Sequence, residues 1–190
     1  PVKKDQTRTY TQFQELGTFK SFFGSFGPDI YQSSIVRSCI RALAEHTSKA
    51  NPVCTNKSIE RILSVRPNRY MNGKAMLQKL RTILEVKNTA FLFIERDDTG
   101  AVISFYPIPY AEFSPVEYAG GLFIEFTFLG MAANTLVIPW EDLAVVRKDF
   151  LYSDIGGESN APLLPTLEVI QTMDDGLKNA VKSTSNLRGI

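Results

Sequence analysis

At 190 residues, 44% hydrophobic and 11% aromatic, the chain has enough apolar side chain to pack the core of one domain plus an extension, which excludes wholesale disorder. No apolar run approaches the roughly 18 residues that a membrane-spanning helix needs, and no basic-then-apolar leader opens the chain. It begins on Pro1, which reads as a fragment or a trimmed chain. The 21 Lys and Arg nearly cancel the 20 Asp and Glu, for a net charge of +1, but the cancellation hides a split along the chain.

From Arg37 to Lys87 there are eleven basic residues and three acidic ones (Glu45, Glu60, Glu85), a balance of +8. From Asn88 to Gly176 there are three basic residues and fourteen acidic ones, a balance of −11. Such halves can face each other within one fold or stay solvated. They can also join the basic face of one subunit to the acidic face of the next, as a ring or filament requires. DNA contact through the basic stretch is a third reading, weakened by the lack of an aromatic-interleaved patch. Two cysteines, Cys39 and Cys54, are too few for a disulfide framework or a zinc site. Cys39 reads as a core thiol, and a reducing, cytosolic setting is the default.

Residues 1–31 have no clear period and hold the aromatic-glycine stretch Phe19 to Gly27. They read as an arm that is loosely held or that docks its phenylalanines on a neighbouring element or subunit. A helix is predicted from Ser33 to Ser48, with Ile35, Val36, Cys39, Ile40, Leu43 and Thr47 on its apolar face and Arg41 placed to pair with Glu45. A short helix follows over 58–65 and ends before Pro67. A third spans 74–86, with Met76, Leu77, Leu80, Ile83 and Leu84 as its stripe.

The period then changes. Strands are expected over 89–95 and 101–106, joined at the turn Asp97-Asp98-Thr99-Gly100. Pro107 and Pro109 break the second. Further strands are expected over 112–118 (interrupted by Pro115), 122–129, 135–138 and 143–146, with 130–134 as a loop. Short connections argue for one antiparallel, meander-like sheet. A polar loop over 152–160 leads to a long helix over 165–182, with Leu167, Ile170, Leu177 and Val181 on one side and Asp174, Lys178 and Lys182 on the other. The class is α+β, divided into an arm (1–31), an α+β domain (32–150), and a loop with a long helix (151–190).

Catalytic chemistry is sparse. His46 is the only histidine and reads as a boundary packing residue. No GxSxG, HExxH or P-loop is present. Asp97-Asp98 reads as turn chemistry and Glu141-Asp142 as a helix start. Asp149, Asp154 and Glu158 share a loop that nothing organises as a cation site. A binding or structural role is expected, with no catalytic residue, metal or cofactor.

Several short motifs follow in order: the helix from Ser34-Ile35-Val36 to Ala44; Pro67-Asn68 with Met71; Lys87-Asn88-Thr89-Ala90-Phe91; Tyr106-Pro107-Ile108-Pro109; Ile138-Pro139-Trp140-Glu141-Asp142-Leu143; Gly157-Glu158-Ser159-Asn160-Ala161-Pro162-Leu163; and Ser185-Asn186-Leu187-Arg188-Gly189-Ile190. In this order, over residues 33–190, they resemble the portal proteins of tailed bacteriophages and prophages. Two departures stand out. Val145-Val146-Arg147 replaces a histidine usual after the Asp142 position, and extra residues separate Ser159 from Pro162.

The resemblance implies a virion structural subunit in a ring, typically of twelve, at one capsid vertex. DNA passes through such a ring during packaging and ejection. The implied partners are duplex DNA, the terminase that supplies the ATP chemistry, and capsid, scaffold and tail-connector proteins, met in the host cytoplasm during assembly; no membrane is involved. Residues 33–150 would belong to the outer wing and 165–182 would lead toward the stem, so that the chain stops early for a portal. Under this reading Arg61, Arg66 and Arg69 are expected at the subunit interface. Two alternatives remain: another ring-forming head-completion or tail adaptor protein, and a metal-dependent DNA-processing enzyme using Asp97, Asp98 and Glu112.

Overall fold

The structure is a computed structural model that describes residues 14–15, 34–128, 135–158 and 160–187. Three helices lead: α1 (Ser34–Thr47), α2 (Lys57–Val65) and α3 (Gly73–Lys87). The strands are β1 (Gln14–Glu15), β2 (Thr89–Arg96), β3 (Val102–Pro107), β4 (Glu112–Tyr118), β5 (Gly121–Thr127), β6 (Thr135–Pro139) and β7 (Leu143–Arg147). Helix α4 (Leu164–Leu187) follows them. The class is α+β, as expected.

Local chemistry sets the helix ends. Asn56 caps α2 by accepting from the Ser58 N–H at 2.9 Å, and Asn72 caps α3 through the Ala75 N–H at 2.8 Å. The two helices meet so closely that a Cβ on Gly73 would lie 2.2 Å from the Ser64 carbonyl, which is why glycine stands there. The Pro67-Asn68 turn is bolted to β3. The buried Asn68 amide donates to the Phe105 carbonyl at 2.7 Å, and its oxygen accepts from the Tyr70 and Met71 N–H groups.

The strands form two antiparallel sheets, not one meander. One has the order β1-β4-β5-β6 and the other β3-β2-β7. After β6 the chain turns through the 3-10 segment Trp140–Asp142 and crosses to β2, pairing Phe91 with Val145 and Phe93 with Leu143. Side-chain alternation along β2 explains the crossing. Phe91 and Phe93 face a cluster with Phe113, Ile124, Phe126 and Ile138 of the first sheet. Leu92 and Ile94 face a second cluster with Met76, Ile59 and Ile62 from the helices. β2 is thus packed on both faces at the middle of its sheet, while Ile103 of β3 and Val146 of β7 stay exposed. Leu143 and Val145 of β7 complete the first cluster and Ala144 joins the second.

Other expectations need correction. Pro115 does not interrupt β4. The strand runs through it because β1 covers only Val116 and Glu117, leaving the outer side of β4 open at the proline. The apolar face read on α1 is mostly in solvent. Ile40 and Ala44 are buried, but Ile35 and Leu43 are 45% and 46% exposed, and Cys39 is an exposed thiol rather than a core one. Only one edge of that face meets α3. His46 is exposed too. The last helix starts at Leu164 and reaches Leu187, beyond its expected end. Of the arm, only Gln14–Glu15 is described. The Phe19–Gly27 stretch, the 130–134 loop and 188–190 lie outside the described residues.

Phe91 is the centre of the packing. It is fully buried and makes edge-to-face contacts with Tyr110, Phe113 and Phe126 at centroid distances of 5.4, 4.8 and 5.0 Å. Phe91→Ala should cost about 3–5 kcal/mol. Urea unfolding would measure it, and a loss under about 1 kcal/mol would contradict the central role of this ring.

Candidate functional site

Two of the motifs meet at a clamp. Asn88 ends α3 in the left-handed region (φ 56°), with its N–H bonded to the Leu84 carbonyl at 2.9 Å. Its buried side-chain amide donates to the Glu158 carbonyl at 2.8 Å and to Asn160 Oδ1 at 2.7 Å. The Asn160 amide donates in turn to the Val86 carbonyl at 3.3 Å. The Gly157 N–H donates to Thr89 Oγ1 at 2.6 Å, and a Cβ on Gly157 would lie 2.2 Å from the Asn88 carbonyl oxygen. The loop before α4 is therefore fixed to the α3–β2 corner by backbone approach and amide bonds.

Beside this corner, Lys87 lies over the Tyr110 ring at 4.5 Å and donates to the Ala111 carbonyl at 2.8 Å. Burial lowers its ammonium pKa to about 8, against the attraction of Glu112. Burial likewise raises the Tyr110 phenol, whose hydroxyl donates to the Thr89 carbonyl. Glu85 is held between Arg81 and Lys148, the latter at 2.8 Å, joining α3 to the segment after β7.

The carboxylates considered for metal chemistry are occupied elsewhere or far apart. Asp97 accepts from the Thr99 hydroxyl and from the Thr99 and Ala101 N–H groups, chiefly the hydroxyl holding its carboxyl below the usual range. It staples the β2–β3 turn. Glu112 starts β4 near Lys87, at the opposite end of β2. The eight residues of β2 put roughly 25 Å between the two positions. Asp142 pairs with Arg96 at 3.2 Å and Glu141 is exposed. In the 149–158 loop, Glu158 closes the backbone: its carboxylate accepts from the Tyr152 N–H and its N–H donates to the Asp149 carbonyl. Among the described residues no three His, Cys, Asp or Glu side chains converge on a metal position. The Asp97-Asp98-Glu112 centre is not assembled.

The surface carries the rest. Arg61, on α2, and Arg66 and Arg69, in the turn after it, are all exposed. Arg66 donates to the Arg69 carbonyl at 3.5 Å and Arg69 stacks over the Tyr70 ring at 4.7 Å. Among the described residues none of the three meets a carboxylate. Arg41, by contrast, pairs with Glu45 at 3.1 Å as expected, and Lys57 pairs with Glu60 at 2.9 Å. Within the fold, Lys87 of the basic stretch is attracted to Glu112 of the acidic one, while the ion pair Lys148–Glu85 joins the two stretches with the signs reversed.

Two apolar surfaces escaped the sequence reading. Phe150, Leu151 and Tyr152 project from the clamped loop, the last two 79% and 86% exposed. Along α4, Met173, Leu177 and Val181 are exposed, and the helix meets the rest of the described chain mainly at the 3-10 turn Ala161–Leu163. The apolar period of α4 was legible in the sequence; how little of the described chain packs against it was not. No described helix is long and apolar enough to cross a membrane.

No protein-family model matches the chain, and no curated protein matches it in sequence. Solved structures match its fold. A chain in the neck of the native gene transfer agent (GTA) particle, computed with C12 symmetry, gives a TM-score of 0.70 at 13% identity, over 89% of this chain and 47% of that one. A chain of the native GTA virion gives 0.67 at 13% identity, over 83% and 44%. A chain in the neck of the empty GTA particle, with C6 symmetry, gives 0.60 at 14% identity, over 79% and 41%. At this identity the shared property is the fold, and the chain spans less than half the length of each of these three chains.

The Lys87 environment predicts a pH effect. Below about pH 8 the amine is charged in both folded and unfolded chains, and its burial opposes folding in full. Between about 8 and 10.5 the unfolded chain holds a proton that the folded chain has lost, so stability gains with rising pH. The stability difference between Lys87→Met and the wild type should therefore shift toward the wild type across that window in urea titrations. A pH-independent difference would refute the assignment.

Proposed function

We propose that this chain is part of a portal protein of a tailed phage or phage-like particle: a ring-forming structural subunit at the capsid vertex that surrounds the DNA path and serves as a dock for terminase and tail-connector proteins. The observation that carries this reading is the agreement between fold and motif order. The fold matches chains in gene transfer agent necks and virions. The resembling motifs are also the joints of this fold: Asn68 on β3, Asn88 against the Gly157–Asn160 segment, and the Trp140–Asp142 crossing between sheets. The role is structural, not catalytic, with the virion as the site of action. Twelve subunits is the number we favour, in keeping with the portal resemblance and with the C12 symmetry of one matched neck.

A second reading is another ring-forming component of the head–tail junction, such as a head-completion or tail adaptor protein. It is favoured by the same neck matches, which describe the assembly and not the component. Capture of the large terminase by the purified protein would select the portal; capture of tail proteins without terminase would select the adaptor.

Negative-stain electron microscopy of the purified protein tests the shared core of both readings. Rings with an opening wide enough for duplex DNA are expected, and a monomer at every concentration counts against both. In such a ring, the exposed arginines of one subunit would meet the acidic half of the next. Reversing Arg61, Arg66 and Arg69 together to Glu should weaken assembly at least tenfold in low salt, with the folded monomer intact. Normal ring assembly of the triple variant in low and moderate salt would refute the charged interface.

A further inference from the structure

The loop after β7 holds apolar side chains in water on an ordered backbone. It leaves the sheet at Asp149, which takes the left-handed region (φ 52°), uncommon for a residue other than glycine. The Glu158 carboxylate accepts from the Tyr152 N–H and its N–H donates to the Asp149 carbonyl, which closes the loop. Ser153 Oγ accepts from the Ile155 and Gly156 N–H groups at 3.3 and 3.1 Å, and Ile155 packs against the cluster that holds Phe91. The Arg147 guanidinium lies over the Phe150 ring at 5.3 Å. Leu151 and Tyr152 are thus presented to solvent by a loop that loses little conformational freedom when it docks. Exposed Asp149 and Asp154 flank them, and among the described residues neither pairs with a cation.

The end of α2 and the turn after it carry the complement. Arg61 and Val65 are four residues apart on α2 and share a face. Val65 and Tyr70 are 62% and 69% exposed, with the charges of Arg61, Arg66 and Arg69 beside them in the chain. Apolar and aromatic area accompanied by arginine is the composition of an interface. A loop with two apolar tips between two aspartates matches it in shape of contact and in sign of charge. The fold also sets the two surfaces apart. The Phe105 N–H donates to the Pro67 carbonyl at 2.7 Å and the Phe105 carbonyl accepts from Asn68, so the turn lies along the outer edge of β3. The loop leaves from β7, the other edge of the same sheet. Phe105 is opposite Ile94 and Arg147 is opposite Thr89, which puts the two attachment points roughly 17 Å apart along β2 as well. Opposite edges and opposite ends of one sheet are the placement that a head-to-tail contact needs, because each subunit must hold both surfaces.

We infer that the 149–154 loop of one subunit docks on the Val65–Tyr70 surface of the next, with Leu151 and Tyr152 on the apolar area and Asp149 and Asp154 against the arginines. The inference rests on the ring reading given above and names the part of the acidic half that the arginines meet. The occupant of each surface is a second copy of this chain, selected by charge of opposite sign around an apolar centre.

Charge exchange in the full chain tests the docking. Asp149→Asn with Asp154→Lys alters the loop, asparagine being chosen because it tolerates left-handed backbone. Arg66→Glu with Arg69→Glu alters the receiving surface. Each pair should weaken ring assembly about tenfold in low salt, read by analytical ultracentrifugation, and the four changes together should return it to within about threefold of the wild type. Leu151→Ser should weaken assembly while leaving the urea midpoint unchanged, since this side chain is in solvent within its own subunit. An arginine pair that weakens assembly beside a loop pair that does not overturns the docking and leaves the ring reading standing, because the arginines then meet another acidic surface. A four-change variant no better than the weaker pair also overturns it, as does normal assembly of Leu151→Ser. Wild-type protein that is monomeric at every concentration overturns the docking and the ring reading together. If far-UV circular dichroism shows a charge variant unfolded, Leu151→Ser decides the matter by the same two readouts.

Discussion

Asn88 must end a helix, begin a strand and receive a loop from 70 residues further along, and a buried amide in left-handed backbone is what reconciles the three. A residue at a helix terminus has an orphan carbonyl ladder beside it and a turn to make. Asparagine tolerates the left-handed turn and brings a donor that can satisfy remote carbonyls. Here the donor meets the Glu158 carbonyl and the Asn160 side chain, and Asn160 reaches back to the end of α3. Gly157 makes the approach possible by lacking a Cβ. Phe91, three residues after Asn88, then enters the ring cluster that joins the two sheets. Helix end, sheet packing and the base of α4 are set within one short stretch of chain.

Much of the secondary structure was legible because its causes are local. The stripe Met76 to Leu84 dictated α3, the Asp97–Gly100 turn dictated the β2–β3 hairpin, and the polar loop before the last helix was visible as such. What was not legible was pairing at long range. Leu143 and Val145 alternate like any strand, and nothing within them says that β2, fifty residues earlier, is their partner and not β6 next door. The exposed face of α1 misled for a related reason: its periodicity is real, but only Ile40 and Ala44 find a buried position. Periodicity reports which residues can be buried, and the rest of the fold decides which ones are.

For the candidate site the position was similar. The charge split was countable from the sequence, and so was the absence of known catalytic motifs. The clamp was present as two short motifs whose meeting depends on a reach of about 70 residues. The arginines at 61, 66 and 69 are visible in the sequence only as charge; the fold places them in one helix and the turn after it, all exposed. Lys87 had no signal in the sequence, because its perturbation comes from burial by distant parts of the chain, opposed by the attraction of Glu112.

Helix α4 leaves the body of the protein at the clamp and touches little else in the described chain. That makes it a lever with a fixed fulcrum. A sideways push on its far end cannot be absorbed along its length, where few neighbours resist, and is delivered instead to Asn160 and, through it, to Asn88 and the end of α3. The hydrogen bonds from Asn88 to Glu158 and Asn160, and from Asn160 to Val86, are the ones that receive that load. The joint that organises the fold is in this sense also its mechanical bearing.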